Sequence, residues 1–348
     1  MIRRLSHCVI LGTDGFREIL YHAIPFHGIM TFHSSVFRFP LSGLPVIYSF
    51  HSKPECPCPT AAVDPGRGVI EPAVTFFGET AMEKYFDLHG ADFTIRCKIY
   101  FAPVAKPAAG IETGLEEAGQ PFRHVIVFCH GFAGHKDNAM AQKLAGRILE
   151  KHDDTALVIF NWPGHGDDDH AGITLEDCDA YLGTVLEYVR STLHPRILDA
   201  SATSFGGYLV LKYISDHGTN PFRRICLRCP AVVMHRVLTE KVLTAEDLRT
   251  LSEGGEVPSG FDRKVMLSPA FMQSLRDNDI TALDFAPYAA SMRIAQGTAD
   301  ELVPFDAVQS FAGRNGISMV TVEGADHRFL DPAKMDLVLR TFMQFLDL

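Results

Sequence analysis

Residues 199–207, Asp-Ala-Ser-Ala-Thr-Ser-Phe-Gly-Gly, constrain this chain most: an apolar strand runs straight into a helix through a serine. A turn that tight leaves its central residue in a strained backbone conformation, and small residues two places before and after it are needed to avoid clashes. Ala202 and Gly206 meet that need around Ser204, and Gly207 lets the following helix, expected over Tyr208 to Asp216, lie close to the sheet. This is the pattern of a nucleophile elbow. The first amides of the helix then point at any charge that develops on the serine oxygen. The competing reading of Ser204 is a helix N-cap. Because small-x-Ser-x-small also arises by chance, the rest of the chain has to decide.

Two loops downstream supply partners in order. After the strand Met-Arg-Ile-Ala-Gln come residues 297–304, Gly-Thr-Ala-Asp-Glu-Leu-Val-Pro; after the strand Ser-Met-Val-Thr-Val come residues 323–327, Glu-Gly-Ala-Asp-His. These give the set Ser204, Asp300, His327. A serine hydroxyl is a weak nucleophile until a base takes its proton, which is the role expected of His327. Asp300 would hold the imidazole in the useful tautomer and stabilise the imidazolium. Glu301 and Asp326 are competing carboxylates, but Asp300 directly follows its strand, and a residue adjacent to His327 is poorly placed to accept from its ring. Ser201 lies inside the strand with Thr203, not a small residue, two places on. A third loop, His130-Gly131-Phe132-Ala133-Gly134-His135-Lys136, follows the expected strand 124–129.

With these motifs in the order serine, acid, histidine, the chain resembles the α/β-hydrolase superfamily over residues of roughly 85 to 348. The resemblance implies an eight-stranded, mostly parallel sheet flanked by helices, with a small cap insertion at about 232–290. It implies backbone N–H donors from Phe132 and Phe205 for the oxyanion, and a structural place for His130. The reaction it implies is cleavage of a small-molecule carboxylic ester through an acyl-enzyme, without cofactor or metal. Thioesterase, aminopeptidase and acyltransferase chemistry share the same triad, and a ligand-binding receptor on an intact hydrolase fold is the alternative of another class. The cap is similar to that of bacterial carboxylesterases, the cinnamoyl (feruloyl) esterase group among them, although Ala202 and Thr203 stand where those relatives usually have glycine and histidine. Met266, Phe271, Met272 and Phe285 are candidates to line the substrate pocket, with ordinary core packing the competing reading for each.

Other constellations support less. Residues 160–170 hold two histidines and three aspartates, but Pro-Gly-His-Gly reads as a tight turn after a strand rather than a metal site. Cys226 and Cys229 fall on an expected strand, where positions three apart face opposite sides. Cys56 and Cys58 have no second pair to complete a zinc site. No Gly-rich phosphate loop follows a strand. The net charge of −10 argues against nucleic acid as a partner. With 348 residues, 47% of them hydrophobic, a large core is available, and the eight scattered cysteines show no disulfide framework. The run Cys8 to Leu11 is too short for a signal peptide, and no stretch approaches the roughly 20 apolar residues of a membrane span, so a cytoplasmic location is expected. Residues 1–81 carry six basic and six acidic side chains and no clear periodicity, whereas strands and helices alternate from Met82 onward. We therefore expect 82–348 to be the catalytic domain, with 1–81 either chain upstream of a natural start at Met82 or a small accessory domain or cover.

Overall fold

The computed structural model describes residues 81–103, 122–260 and 263–348, together with short strands at 9–13, 16–20, 38–40 and 74–77. The chain divides into two compact units, Met1–Gly68 and Val69–Leu348. In the first, β1 (Val9–Thr13), β2 (Phe16–Leu20) and β3 (Arg38–Pro40) form an antiparallel sheet in that order. The pair Cys56 and Cys58 lies outside the described residues.

The second unit is built on one sheet. Its strands are β4 (Val74–Phe77), β5 (Ala81–His89), β6 (Thr94–Phe101), β7 (His124–Cys129), β8 (Thr155–Phe160), β9 (Ile197–Thr203), β10 (Ile225–Arg228) and, after a hairpin of β11 (Val257–Ser259) and β12 (Val265–Leu267), β13 (Met292–Gly297) and β14 (Ser318–Val322). The spatial order is β14-β13-β10-β9-β7-β8-β6-β5-β4. Every pair from β8 to β14 is parallel, and the three pairs beyond β8 are antiparallel. All residues of β7, β8 and β10 are buried, as strands covered on both faces must be.

The eight strands from Ala81 onward are those expected. The ninth, β4, comes from the segment assigned to the N-terminal extension. It pairs with β5 in a register that sets Phe76 against Met82, so Met82 lies inside a paired strand. Four residues, Val-Thr-Phe-Phe, are too few for their alternation to stand out from the sequence.

Helices cover both faces. α1 (Ala139–Leu149) and α8 (Pro332–Leu346) share one core cluster with Ile126, Phe128 and Leu157. α2 (Leu175–Tyr188), α3 (Phe205–His217) and α7 (Phe305–Asn315) share the other with Val125, Val127 and Val158. The two sets of strand residues alternate, which is the period-2 signature of a sheet buried on both sides. Between β10 and β13 lies the expected cap, with α4 (Met234–Val237), α5 (Ala245–Ser252) and α6 (Pro269–Asp277) around the hairpin. α5 spans the residues expected, started by a reciprocal capping box of Thr244 and Asp247. The hairpin docks on the loop after β8, where Met266 N donates to Ala171 O at 2.8 Å. No helix among the described residues is long and apolar enough to cross a membrane.

Candidate active site

Ser204 sits between β9 and α3 with φ 52° and ψ −117°, a conformation that costs a non-glycine residue energy and survives only where its surroundings impose it. Those surroundings are backbone bonds. Ser204 N donates to Arg228 O at 2.9 Å, while its carbonyl accepts from Tyr208 N at 3.1 Å and Ala231 N at 3.0 Å. The small neighbours are a steric necessity: a Cβ on Gly206 would lie 2.3 Å from Cys129 O, and one on Gly131 would lie 3.2 Å from Ser204 Cβ. The serine side chain makes no capping bond to α3, which removes the N-cap reading. Its residue is 8% exposed.

Asp300 and His327 follow β13 and β14 in two loops stitched together. Thr298 N donates to Val322 O, Ala299 N to Ala325 O, and Gly324 N to Thr298 Oγ1 at 2.7 Å. His327 Nδ1 donates to the Asp300 carboxylate, at 2.9 Å to Oδ2 and 3.0 Å to Oδ1. The carboxylate is fully buried and also accepts from the amides of Leu302 and Val303 and from Gln296 Nε2. Burial pushes its pKa up, but the bonds from His327, the Val303 amide and the Cys229 thiol outweigh this and hold it below 3.8. The two rejected carboxylates have other work: Glu301 accepts from the His327 amide at 3.1 Å, and Asp326 from the Leu330 amide at 3.1 Å. Among the described residues Ser204 Oγ has no hydrogen bond to His327; such bonds are often long in substrate-free proteins and tighten in the complex.

The loop after β7 completes the surroundings of the serine. The amides of Phe132 and Phe205 donate to no group among the described residues, and their rings meet edge to face at 5.9 Å. His130 is buried beneath the loop, donating from Nδ1 to Gly131 O at 2.8 Å and accepting at Nε2 from Trp162 N at 3.3 Å. Burial pushes its pKa well below 6.5, so it is a neutral brace.

A family model described as "Alpha/beta hydrolase family" matches residues 126–339. The chain belongs to that family. No curated protein matches this hydrolase by sequence. Solved structures match its fold: an Agrobacterium vitis S4 protein at 19% identity and TM-score 0.57, over 76% of this chain and 98% of its own. Est1E from Butyrivibrio proteoclasticus, with ferulic acid bound, aligns at 14% identity and TM-score 0.57, over 76% and 100%. Mouse alpha/beta hydrolase domain-containing protein 10 aligns at 16% identity and TM-score 0.50, over 80% and 98%.

The four proposed pocket residues of this hydrolase separate. The Phe271 ring packs against that of Phe205, the residue after Ser204, with centroids 6.4 Å apart. Met272 is buried on the same helix, and Met266 is half-buried on the docked hairpin. Phe285 instead packs on Phe311 of α7 at 5.6 Å, with its amide donated to Asn315 Oδ1.

The loop of residues 160–170 is organised by Asp168, which accepts from the amides of Gly164 and His170 and from Tyr181 OH, so its acid serves the turn. Among the described residues one group of metal-donor side chains comes together, Cys229 with Asp300 and His327. Burial and the charge of Asp300 push the Cys229 thiol well above 9.0, which makes it a hydrogen-bond donor to the acid rather than a thiolate ligand.

Two supporting residues were not singled out from sequence. Gln296 points along its strand end to Asp300. Arg228, buried at the end of β10, donates from Nη1 to His327 O at 2.7 Å while its own carbonyl holds Ser204 N. One residue thus ties the serine turn to the histidine loop. The signal was a lone arginine in an otherwise apolar strand, Ile-Cys-Leu-Arg.

Proposed function

We propose that this hydrolase cleaves carboxylic esters through an acyl-enzyme on Ser204. The observation that carries the reading is the contact of His327 Nδ1 with the Asp300 carboxylate at 2.9 Å. With the ring hydrogen on Nδ1 given to Asp300, Nε2 keeps its lone pair and is free to accept the serine proton. Ser204 Oγ attacks the ester carbonyl as its proton passes to Nε2, and the carbonyl oxygen becomes an oxyanion. The unpaired amides of Phe132 and Phe205 supply donors for that oxyanion without reorganising, each worth about 3 kcal/mol of barrier. Collapse of the tetrahedral species breaks the ester C–O bond, and the Nε2 proton leaves with the alcohol. Water then repeats the sequence on the acyl-serine and regenerates the enzyme. All of these groups lie in Val69–Leu348.

Steady-state hydrolysis of p-nitrophenyl esters of increasing acyl length by wild type and Ser204→Ala tests this. Because Est1E holds ferulic acid, an aromatic acyl ester belongs in the series. Turnover by wild type, reduced in kcat by roughly 10⁵-fold or more in the variant, is expected. Turnover that survives the substitution would remove Ser204 from the mechanism. A wild type inert to every ester, yet labelled at Ser204 by a fluorophosphonate, would move the substrate class to thioesters or peptides.

A further inference from the structure

Beside the loop after β7 lies a cavity of about 310 Å³, walled by Ala133, Gly134, His135, Lys136 and Arg263 with two carboxylates, Asp137 and Asp167. It begins within a turn of the nucleophile. Gly131 abuts Ser204, and Gly134 N closes back on Gly131 O at 3.0 Å, so the chain passes from the serine to the cavity wall in three residues.

The acceptors of this wall are committed. Asp137 accepts from Tyr85 OH at 2.8 Å and pairs with Lys98 and Lys136. Asp167 accepts Lys136 Nζ at 2.7 and 2.8 Å and Asn161 Nδ2 at 2.6 Å. The donors are not all committed. Arg263 gives one N–H to Gly166 O at 2.7 Å and another to His170 O at 3.0 Å, both neutral carbonyls, and among the described residues no carboxylate lies within salt-bridge distance of it. A guanidinium has five N–H donors, so three remain. His135 Nδ1 accepts from Asp137 N at 3.1 Å, which puts the ring hydrogen on Nε2, and that N–H has no partner among the described residues. The half-buried wall therefore presents an Arg263 with no salt-bridge partner among the described residues and spare donors, while Asp137 and Asp167 are engaged by Lys98 and Lys136, Lys98 being shared with Glu83. That is the complement of a planar anion, which a guanidinium fork engages with two parallel hydrogen bonds.

We infer that this cavity is a subsite for a carboxylate borne by one arm of the ester, with Arg263 as its partner, so that the substrate class is a half-ester of a dicarboxylic acid or an ester of a carboxylated alcohol. The inference rests on the esterase reading above and narrows it.

The test compares matched ester pairs: p-nitrophenyl butyrate with the p-nitrophenyl half-ester of glutarate, and phenyl butyrate with 4-carboxyphenyl butyrate. Each is measured with wild type, Arg263→Met and Arg263→Lys. Within one pair, wild type should favour the carboxylate by about tenfold in kcat/KM, expressed in KM. Arg263→Met should erase that preference while leaving the uncharged ester within a factor of about two, and Arg263→Lys should keep part of it. Hydrolysis of the neutral esters with no carboxylate preference in either pair, or a preference that survives Arg263→Met, would overturn the subsite and leave the esterase reading intact. Inertness toward all four esters together with no labelling of Ser204 would instead sink the esterase reading itself.

Discussion

Two buried histidine-aspartate pairs stand at opposite ends of the same sheet. Beyond the C-terminal ends of β13 and β14, His327 Nδ1 donates to Asp300 at 2.9 Å; at the N-terminal ends of β7 and β9, His124 Nε2 donates to Asp199 at 2.8 Å. Both carboxylates are fully shielded from solvent. Their other partners differ. Asp199 is saturated by the Arg223 guanidinium, at 3.1 and 2.6 Å, and by the Arg224 amide, and this knot also gathers the C-terminal Leu346 carbonyl. Asp300 has amides and a glutamine instead of a cation, and the Nε2 of its histidine has no partner among the described residues. A His-Asp pair is therefore not chemistry in itself. What separates them is the charge of the partners on the carboxylate, a guanidinium on Asp199 and neutral amides on Asp300.

The largest expected effect is on the first pair. Asp300→Asn should lower kcat by roughly 10⁴-fold, because an amide cannot hold the useful tautomer, with little change in Tm. Asp199→Asn should do the reverse. Breaking a buried charge network costs about 3–5 kcal/mol, so urea unfolding should show a large loss of stability while activity per folded molecule stays at the wild-type level. Its sign with pH follows from Asp199. Burial raises its pKa, but hydrogen bonds and charge from His124 and Arg223 win and lower it. The stability it contributes is therefore present above the unfolded carboxylate value of 3.8 and is lost as pH falls through the lower folded value, a limb that Asp199→Asn should flatten.

A third expectation comes from the chemical end. Burial first, and then the Arg263 charge, push His165 down to about 4 against an opposing bond to Pro163 O. Below pH 6.5 the unfolded chain binds a proton that the folded one refuses, so stability should fall between 6.5 and 4 by up to about 3 kcal/mol. His165→Gln should weaken that fall in chemical denaturation followed across pH. The smallest effect sharpens the role of Arg228. Arg228→Met should cost about tenfold in kcat/KM by freeing the histidine loop, with Arg228→Lys recovering part of it. Equal activity in all three proteins would make the residue a packing element only.

How much of this was legible in the sequence depends on range. The Ser204 turn, the two loops and the strands 124–129 and 318–322 were written in local pattern: small residues at fixed offsets, apolar runs of strand length, and acid and base directly after a strand. The stabilising partners were not. Arg228 reaches His327 across 99 residues, and Arg223 reaches Leu346 across 123, so nothing local announces either bond. The strand β4 was missed for the opposite reason, since four residues carry too little periodicity. The pocket residues were chosen as apolar positions within the cap insertion, which cannot tell a wall from a core; Phe285 in particular packs on Phe311 of α7.

The central claim is that one pair activates a serine and the other holds the sheet. The most direct measurement is the rate and site of fluorophosphonate labelling, read by peptide mass spectrometry on wild type, Asp300→Asn and Asp199→Asn. The account predicts a single adduct on Ser204, formed at the same rate in folded Asp199→Asn as in wild type and slowed by at least about 10²-fold in Asp300→Asn. An adduct on another residue, or equal labelling rates for Asp300→Asn and wild type, would contradict it.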